Sequence, residues 1–350
     1  MTKQIIAGGV AIGGGAPVTI QSMCNTDTRD AAATVAQIKA LAAAGCEIVR
    51  VAVPDMAAAE AIEAIKKECP IPLVADIHFD YRLAIAAAER GADKIRINPG
   101  NVGGPENVKK VVDACRARSL PIRIGVNGGS LEKPLLEKYG GATPEAMLES
   151  ALGHVRLLTD LDFDDICISL KASNVPDTVA AYRLAHEAVD YPLHIGVTEA
   201  GGGELAIVKS ACGIGSLLLA GIGDTLRVSL TGDPLREVTA AKEILRAVGL
   251  RTEGVEIVSC PTCGRTEVDL EKVLADVTEA LKDCKKNIRV AVMGCVVNGP
   301  GEARGADYGV AGGKGCGMLF RKGEIVRKVP EEEMASALVE MINNDELPTA

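Results

Sequence analysis

The sequence predicts an α/β protein, a (β/α)8 TIM barrel followed by a small α+β domain. Short runs of β-branched residues alternate eight times with longer alanine-rich stretches over about 250 residues. This repeat fits a closed barrel better than an open doubly wound sheet, although an open sheet has the same periodicity. The pattern then changes between Gly249 and Gly254, so we expect one domain at residues 1–250 and another at 251–350.

The repeat supplies eight predicted strands and the helices between them. The helices include DAAATVAQIKALAAAG and DYRLAIAAAERGA, and in the second of these Leu83, Ala87 and Ala88 share one face. The strands are VTIQSMC from Val18, EIVRVAV from Glu47, PLVADIHF from Pro72, DKIRINPG from Asp93, PIRIGVN from Pro121, DICISLKA from Asp165, PLHIGVTEA from Pro192 and TLRVSLTG from Thr225.

The second domain mixes strands and helices in a different order. A strand from Val255 leads into a loop containing CPTC and then an amphipathic helix, with Thr266 and Asp269 spaced as a capping box. The strand IRVAVMG, the loop NGPGEA, two short strands around YGVAGG and EIVRKV, and a helix from Pro330 follow. The apolar face of the amphipathic helix holds Leu270, Val273, Leu274, Val277 and Leu281.

Composition excludes several function classes. A net charge of -9, a pI near 5.2 and only 2% aromatic residues argue against nucleic acid or an anionic membrane as partner. No stretch reaches the roughly 20 apolar residues of a membrane span, and we identify no signal peptide. Eleven cysteines without a secretory signal indicate a reducing compartment, so we expect a cytoplasmic protein.

Polar side chains concentrate inside the barrel, towards the C-terminal ends of its strands. Because alternate residues of a barrel strand point inward, Arg50, Arg96, Arg123, Asn127, Lys171 and Ser229 are predicted to face the interior. Asp76, His78 and Arg227 have the same parity, and the seventh strand ends at Glu199. Catalytic residues of barrels lie at this end, whereas interior layers are normally apolar.

Charge then indicates the ligand. Removing one unpaired charge from water costs several kcal/mol, so such a cluster is tolerable mainly if it is hydrated or binds an anion. The loops NPGNVGG, NGGS and EAGGGE offer backbone N–H groups to phosphate oxygens. A structural ring of salt bridges to Asp76, Glu47 or Glu199 is the alternative. The favoured interpretation is a phosphate or diphosphate site.

Three cysteines in the second domain are spaced as ligands of a metal centre. Cys260 and Cys263 form a C-x-x-C pair after one predicted strand, and Cys295 follows another in a glycine-rich loop. An iron–sulfur cluster needs three or four thiolates from separate loops, which suits these residues. Zinc and inert or redox-active thiols stay open, although a zinc ribbon needs a second C-x-x-C pair. Cys316 and Glu302 compete for a fourth ligand position.

Over nearly its whole length the chain resembles the 4-hydroxy-3-methylbut-2-enyl diphosphate synthase family in its short bacterial form. The resemblance rests on DIHFDYRLA, RINPGN, RIGVNGGSL, SLKASN, HIGVTEAGGG, CPTCGR and VMGCVVNGPGEA, in family order. It implies an iron–sulfur oxidoreductase of the methylerythritol phosphate route to isoprenoids. This activity converts 2-C-methyl-D-erythritol 2,4-cyclodiphosphate to the linear allylic diphosphate by two-electron reductive ring opening and loss of water.

The resemblance also implies residue roles, cofactor and partners. A [4Fe-4S] cluster would be held by Cys260, Cys263, Cys295 and Glu302, with Glu199 as acid or base and Glu302 needed for turnover. Electrons would come from flavodoxin or ferredoxin, and in a homodimer one subunit's cluster domain would cover the other's barrel. The diphosphate would be held by Arg50, Arg96, Arg123, Asn127, Lys171 and Ser229.

Two other functions stay open at this point. A zinc-dependent barrel lyase or hydrolase acting on a sugar phosphate would use the same cations, and it would contain zinc without iron or sulfide. An electron carrier attached to an inert barrel would not need Arg96 or Arg123 for activity.

Overall fold

The structure is a computed structural model that describes residues 1–252, 254–296 and 305–345. It divides into two compact units, Met1–Leu250 and Arg251–Ala350. None of the helices within the described ranges combines the length and apolar character that crossing a bilayer requires.

The first unit begins with a short antiparallel hairpin, for which the sequence predicted no structure. Strand β1 (Ile5–Ala7) pairs with strand β2 (Val10–Ile12). Its apolar side chains pack in one buried cluster with residues near the N-terminal ends of three barrel strands: Ile48, Val74 and Cys167. The hairpin therefore forms the floor of the barrel.

Eight parallel strands form the barrel, as predicted. The strands are β3 (Thr19–Met23), β4 (Ile48–Ala52), β5 (Leu73–Asp76), β6 (Lys94–Ile97), β7 (Ile122–Asn127), β8 (Ile166–Lys171), β9 (His194–Ile195) and β10 (Thr225–Leu226). Their order is β8-β7-β6-β5-β4-β3-β10-β9, and a parallel bridge between Ile168 and Leu193 joins the two ends. The predicted fold class is confirmed, although β9 and β10 have only two regular residues each.

Helices connect the barrel strands and cover them from outside. Three of them begin at an aspartate whose side chain accepts a hydrogen bond from the first turn: Asp30, Asp55 and Asp80. Such caps typically stabilise a helix by about 1 kcal/mol. The helices are α1 (Ala31–Ala43), α2 (Met56–Glu68), α3 (Tyr81–Glu89), α4 (Pro105–Arg116), α5 (Lys133–Tyr139), α6 (Pro144–Thr159), α7 (Val175–Ala188), α8 (Gly203–Leu219) and α9 (Leu235–Ala247).

The main core lies between the strands and these helices. Val49, Val51, Ile95 and Ile97 are fully buried in it, so the predicted parity of their strands is confirmed. On α3 the predicted apolar face is buried as well. Because the apolar residues of each strand face the helices, the polar residues between them face the barrel interior.

In its described residues, the second unit is a five-stranded sheet with two helices. Its elements are β11 (Val255–Ser259), α10 (Leu270–Leu281), β12 (Ile288–Met293), β13 (Tyr308–Gly313), β14 (Cys316–Arg321), β15 (Glu324–Pro330) and α11 (Met334–Asn343). The strands pair in chain order, parallel from β11 to β13 and antiparallel from β13 to β15. Apolar side chains of both helices share one buried cluster with the sheet.

Two sequence predictions for this unit were wrong. Helix α10 is capped by Asp269 itself, whose carboxylate accepts from Lys272 N at 3.1 Å, so no capping box from Thr266 forms. Thr266 Oγ1 instead accepts from Cys263 N at 3.2 Å. The prediction also missed β14, because its glycine and cysteine do not read as a β-branched run.

Candidate functional site

A cavity of about 210 Å³ opens at the C-terminal ends of the barrel strands. The structure brings together there all six residues for which we expect a role in substrate binding. Its lining consists of Met23, Arg50, Asp76, His78, Arg96, Arg123, Asn127, Ser169, Lys171, Thr198, Arg227 and Ser229. We call this space the mouth cavity.

Strand register explains why these side chains meet. Arg96 on β6 lies beside Arg123 on β7, and Asn127 lies beside Lys171 on β8. Glycine makes room for the longest of them. A Cβ on Gly125 would stand 2.4 Å from Arg96 Nε, so the guanidinium occupies the space that a side chain would fill. Gly196 likewise leaves room for the ammonium group of Lys171.

The charge of the mouth cavity is strongly positive. Five cationic side chains and one carboxylate, Asp76, line it among the described residues. Asp76 pairs with Arg96 at 2.9 Å and lies 3.6 Å from Arg50 Nε. Burial raises the pKa of Asp76, but Arg50, His78 and Arg96 together hold that pKa well below its usual value. The predicted alternative, a ring of salt bridges, therefore accounts for Asp76 with Arg50 and Arg96. It does not account for the other cations of the mouth cavity.

Two of the remaining cations are almost completely enclosed. Arg123 is 1% exposed, and burial followed by the charge of Arg96 lowers its pKa to about 10. Burial, with Arg123 and Arg227, lowers the pKa of Lys171 well below its ordinary value. Arginine keeps its proton in proteins, so the lowered pKa values do not mean that Arg123 is neutral. They show that the cavity solvates its cations poorly. An anion in the cavity would be bound strongly for the same reason.

Arg227, which also lines the mouth cavity, and its partner Glu237 are not among the residues to which the sequence prediction gave a role. Glu237, on α9, is 3% exposed. Its carboxylate accepts from Arg227 Nη2 at 2.9 Å and Nε at 3.2 Å, from Ser22 Oγ at 2.9 Å and from Leu230 N at 3.1 Å. One side chain thus holds Arg227 and the backbone next to Ser229. The sequence contains one signal for Glu237: it is an acidic residue on the same helical face as the apolar residues Ala241 and Ile244.

Glu199 lines a second, more open cavity of about 530 Å³. This cavity shares Asn127, Lys171 and Thr198 with the mouth cavity, so the two adjoin. Glu199 is exposed and has a φ of 53°, a conformation that costs a residue with a side chain of order 1 kcal/mol or more. The glutamate therefore stands at the edge of the cationic cavity, where the strained backbone after β9 holds it.

The cysteines of the second unit follow neighbouring parallel strands. Cys260 comes directly after β11, and Cys295 lies two residues after β12. Gly294 N donates to Cys260 Sγ at 3.3 Å, and Glu267 N donates to Gly294 O at 3.0 Å. These bonds hold the CPTC loop against the loop that carries Cys295.

The donor set fits a thiolate-bound metal centre. An N–H group directed at a sulfur atom would stabilise a metal-bound thiolate there, and the Gly294 amide is placed in this way at Cys260. Cys263 is exposed, and a hydrogen bond from the Arg265 backbone is the first cause that lowers its pKa. Within residues 1–252, 254–296 and 305–345, no three His, Cys, Asp or Glu side chains are grouped as metal ligands. Glu302 lies outside those ranges.

Several other cysteines lie in the hydrophobic core. Cys46 and Cys115 are buried core residues, as predicted, and Cys24 belongs to the main core cluster. Cys316, the competing fourth ligand, is the first residue of β14, and its Sγ would lie 3.3 Å from a Cβ on Gly313. A single thiol in a tight β-turn does not establish that it is a ligand.

Comparison with known proteins places these observations in a family. A curated relative from Geobacter sulfurreducens, named 4-hydroxy-3-methylbut-2-en-1-yl diphosphate synthase (flavodoxin), is 64% identical over 338 residues, 97% of this chain and 96% of its own. A relative of the same name from Caldanaerobacter subterraneus subsp. tengcongensis is 60% identical over 98% of this chain and 96% of its own.

A solved structure supports the fold alone. The N-acetylneuraminic acid (sialic acid) synthetase of Leptospira borgpetersenii serovar Hardjo-bovis, in complex with citrate, has a TM-score of 0.50 at 13% identity. The match covers 81% of this chain and 99% of that one.

Two family models match the chain in succession. The GcpE TIM-barrel domain covers residues 2–242, and the GcpE protein C-terminal domain covers residues 256–344. The chain belongs to the GcpE family.

Proposed function

We propose that this protein converts 2-C-methyl-D-erythritol 2,4-cyclodiphosphate to 4-hydroxy-3-methylbut-2-enyl diphosphate in isoprenoid biosynthesis. The names of its curated relatives support this activity. The observation that carries the proposal is the mouth cavity, where five cations surround one carboxylate at the catalytic end of a barrel. In the balanced reaction two electrons and two protons enter, the carbon–oxygen bond of the ring opens, and one water molecule leaves.

The cations have a role in the chemistry as well as in binding. When the ring opens, a phosphate oxygen that was esterified becomes free and gains negative charge. Preorganised cations near that oxygen stabilise the transition state more than the substrate, which is how electrostatic catalysis works. Arg50, Arg96, Arg123 and Lys171 are proposed to hold the diphosphate, with Asn127 and Ser229 as neutral hydrogen-bond donors.

Glu199 is proposed to move the proton that accompanies loss of the hydroxyl group. It stands in the cavity that adjoins the mouth cavity, beside Asn127 and Lys171. A carboxyl group there would reach the carbon part of a substrate whose diphosphate is held by the cations. That placement suits general acid–base catalysis, which requires a positioned group at the reacting atoms.

The second unit is proposed to hold a [4Fe-4S] cluster on Cys260, Cys263, Cys295 and Glu302. The hydrogen bond from Gly294 to Cys260 supports this ligand set. When bound, such a cluster supplies electrons one at a time. Of the four ligands, Glu302 offers the harder oxygen donor, which binds iron less firmly than a thiolate.

The proposed partners follow from this chemistry. Single electrons require a carrier, and the relatives' names specify flavodoxin, with ferredoxin as the other candidate. We also propose a homodimer in which one subunit's cluster unit serves the barrel of the other. None of the eleven cysteines, all of which lie in the described ranges, forms a disulfide, which supports function in the reducing cytoplasm.

Anaerobic reconstitution tests the proposal. Protein containing iron and sulfide, incubated with the cyclic diphosphate and a strong reductant, is expected to release the linear diphosphate. Glu302→Ala is expected to keep at least part of its iron and lose nearly all turnover. Arg123→Met should lose turnover with its iron unchanged, whereas Lys67→Met, which removes an exposed charge from α2, should retain both. Stoichiometric zinc without iron or sulfide would overturn the proposal in favour of a zinc enzyme.

A further inference from the structure

A second group of polar side chains lies deeper in the barrel than the mouth cavity. Its members include Gln21, Lys94 and Thr225. Each precedes a residue that lines the cavity by two positions, a distance of about 6.6 Å along the strand. His194 on β9 pairs directly with Thr225 on β10, which in turn pairs with Thr19 on β3. We call Thr19, Gln21, Lys94, His194 and Thr225, with the side chain of Arg123 above them, the inner layer.

The inner layer is fully enclosed. All its members are buried, and Lys94 and His194 have no exposed surface. Below it, the β1–β2 hairpin packs on Ile48, Val74 and Cys167 and separates it from solvent. Above it stand the cations of the mouth cavity. The compartment between floor and mouth is therefore polar, although barrel interiors normally consist of Val, Ile and Leu.

Nine polar side-chain atoms of the inner layer have no hydrogen-bond partner among the described residues. These nine atoms are Thr19 Oγ1, Gln21 Oε1 and Nε2, Lys94 Nζ, Arg123 Nε and Nη1, His194 Nδ1 and Nε2, and Thr225 Oγ1.

The energetic cost of so many unpaired polar atoms indicates that the layer contains hydrogen-bonding ligands. An unsatisfied buried polar group costs about 1–3 kcal/mol, more when it is charged. Nine such atoms would cost at least about 9 kcal/mol, which is comparable with the whole stability of a folded domain, about 5–15 kcal/mol. A stable barrel with this interior therefore needs hydrogen-bonding ligands inside it.

The charge of the layer identifies the ligand. Burial, and then the field of Arg123 and Arg50, lowers the pKa of Lys94 to about 8, so its amine is mostly protonated at pH 7. Burial and four cations, beginning with Arg123, lower the pKa of His194 well below its ordinary value, so the ring is neutral. Asp76, whose charge raises the pKa of Arg123, is already paired with Arg96 one level higher.

The hydrogen-bonding atoms of the layer are mostly donors. Lys94 and Arg123 have donors only, whereas Gln21 and neutral His194 contribute one acceptor atom each. Water alone would satisfy the polar atoms but would leave the two positive charges uncompensated. A monatomic anion accepts from several donors at once and neutralises one charge.

We propose that the inner layer is a binding site for a chloride-sized monovalent anion, bound together with ordered water between Lys94, Arg123, His194 and Gln21. The site lies one level below the mouth cavity and shares Arg123 with it. It makes the barrel's stability depend on halide and compensates the cations beneath the diphosphate site.

Anomalous diffraction tests this site directly. Crystals of the full-length protein grown in sodium gluconate are soaked in sodium bromide, and data are collected at the bromine absorption edge. We expect an anomalous peak within hydrogen-bond distance of Lys94 Nζ and Arg123 in the wild-type protein. Density at that position without anomalous signal, or bromide found in the mouth cavity alone, would show that the inner layer holds only water and would overturn the proposal.

Thermal unfolding gives a second test in solution. At constant ionic strength, replacing gluconate by chloride is expected to raise the wild-type melting temperature progressively, as a ligand of the folded state does. Lys94→Met should lose this response, and Lys109→Met, on the exposed face of α4, should retain it. An identical chloride response in Lys94→Met would contradict the site. If Lys94→Met does not fold, the wild-type bromide experiment alone decides.

Discussion

Replacing Glu237 by glutamine tests whether the buried carboxylate that pairs with Arg227 stabilises the barrel. The substitution keeps the shape of the side chain and removes its charge. It also replaces one oxygen by an NH2 group, which would face the N–H and O–H donors that now point at the carboxylate. Either orientation of the amide leaves two of the four present hydrogen bonds without an acceptor.

The size of the effect follows from burial. Glu237 has 3% and Arg227 has 15% of its side-chain surface exposed, so the pair is largely desolvated. Removing one partner of a buried ion pair costs about 3–5 kcal/mol, because the other charge stays buried without compensation. For a unit of about 250 residues, each kcal/mol lowers the melting temperature by about 2–4 °C. We therefore expect Glu237→Gln to melt about 6–20 °C below the wild type.

Inorganic diphosphate provides the specific readout. In Glu237→Gln, Arg227 has lost its counter-charge, so an anion in the mouth cavity should recover part of the lost stability. We expect diphosphate to raise the melting temperature of the variant more than that of the wild type in differential scanning calorimetry. Ser22→Ala, which removes one neutral donor to the same carboxylate, is the matched control and should cost about 1 kcal/mol without this enhanced response.

A melting temperature of Glu237→Gln within 2–3 °C of the wild type, about the effect of 1 kcal/mol, would refute the reasoning. The ion pair would then contribute no more than an exposed one. An equal diphosphate response in both proteins would show that Arg227 does not face the bound anion.

Three further substitutions test other parts of the structure. Gly125→Ala should displace the Arg96 guanidinium and lower kcat/KM at least about tenfold, whereas Gly153→Ala, on the exposed face of α6 with open space around it, should be neutral in the same assay. Cys295→Ser is expected to lose most iron and sulfide on reconstitution while circular dichroism shows an intact barrel; full iron content would exclude it as a ligand. Gly317→Ala would put a Cβ 2.4 Å from Met334 Cγ and should destabilise the second unit by about 1–3 kcal/mol, an effect that Met334→Ala should partly relieve in urea unfolding.

The barrel was predictable from sequence because each strand shows its own pattern of apolar and polar residues. Alternation of apolar and polar residues along a strand states which side chains face inward, and it identified Arg96, Arg123 and Lys171 before any contact was known. The anion site could be inferred from those charges alone. Their closeness to one another then followed from the parallel register, which aligns equivalent positions of neighbouring strands.

What could not be predicted depends on contacts between distant parts of the chain. Glu237 lies on a helix, and only the fold brings it under Arg227 and Ser22, a residue 215 positions away. The N-terminal hairpin is rich in glycine and too short to show a period, so its place at the barrel floor follows from packing alone. The spacing of the cysteines suggested a metal centre, but the bond from Gly294 to Cys260 depends on β11 pairing with β12.

The hairpin beneath the barrel has a consequence for traffic through the enzyme. Because Ile5, Ala7 and Ile12 close that end of the barrel, the mouth cavity at the opposite end is the route that the described residues offer to both reactant and product. The product must then leave through the same opening before the next substrate molecule can enter. Accumulated product should consequently compete with incoming reactant for the same entrance.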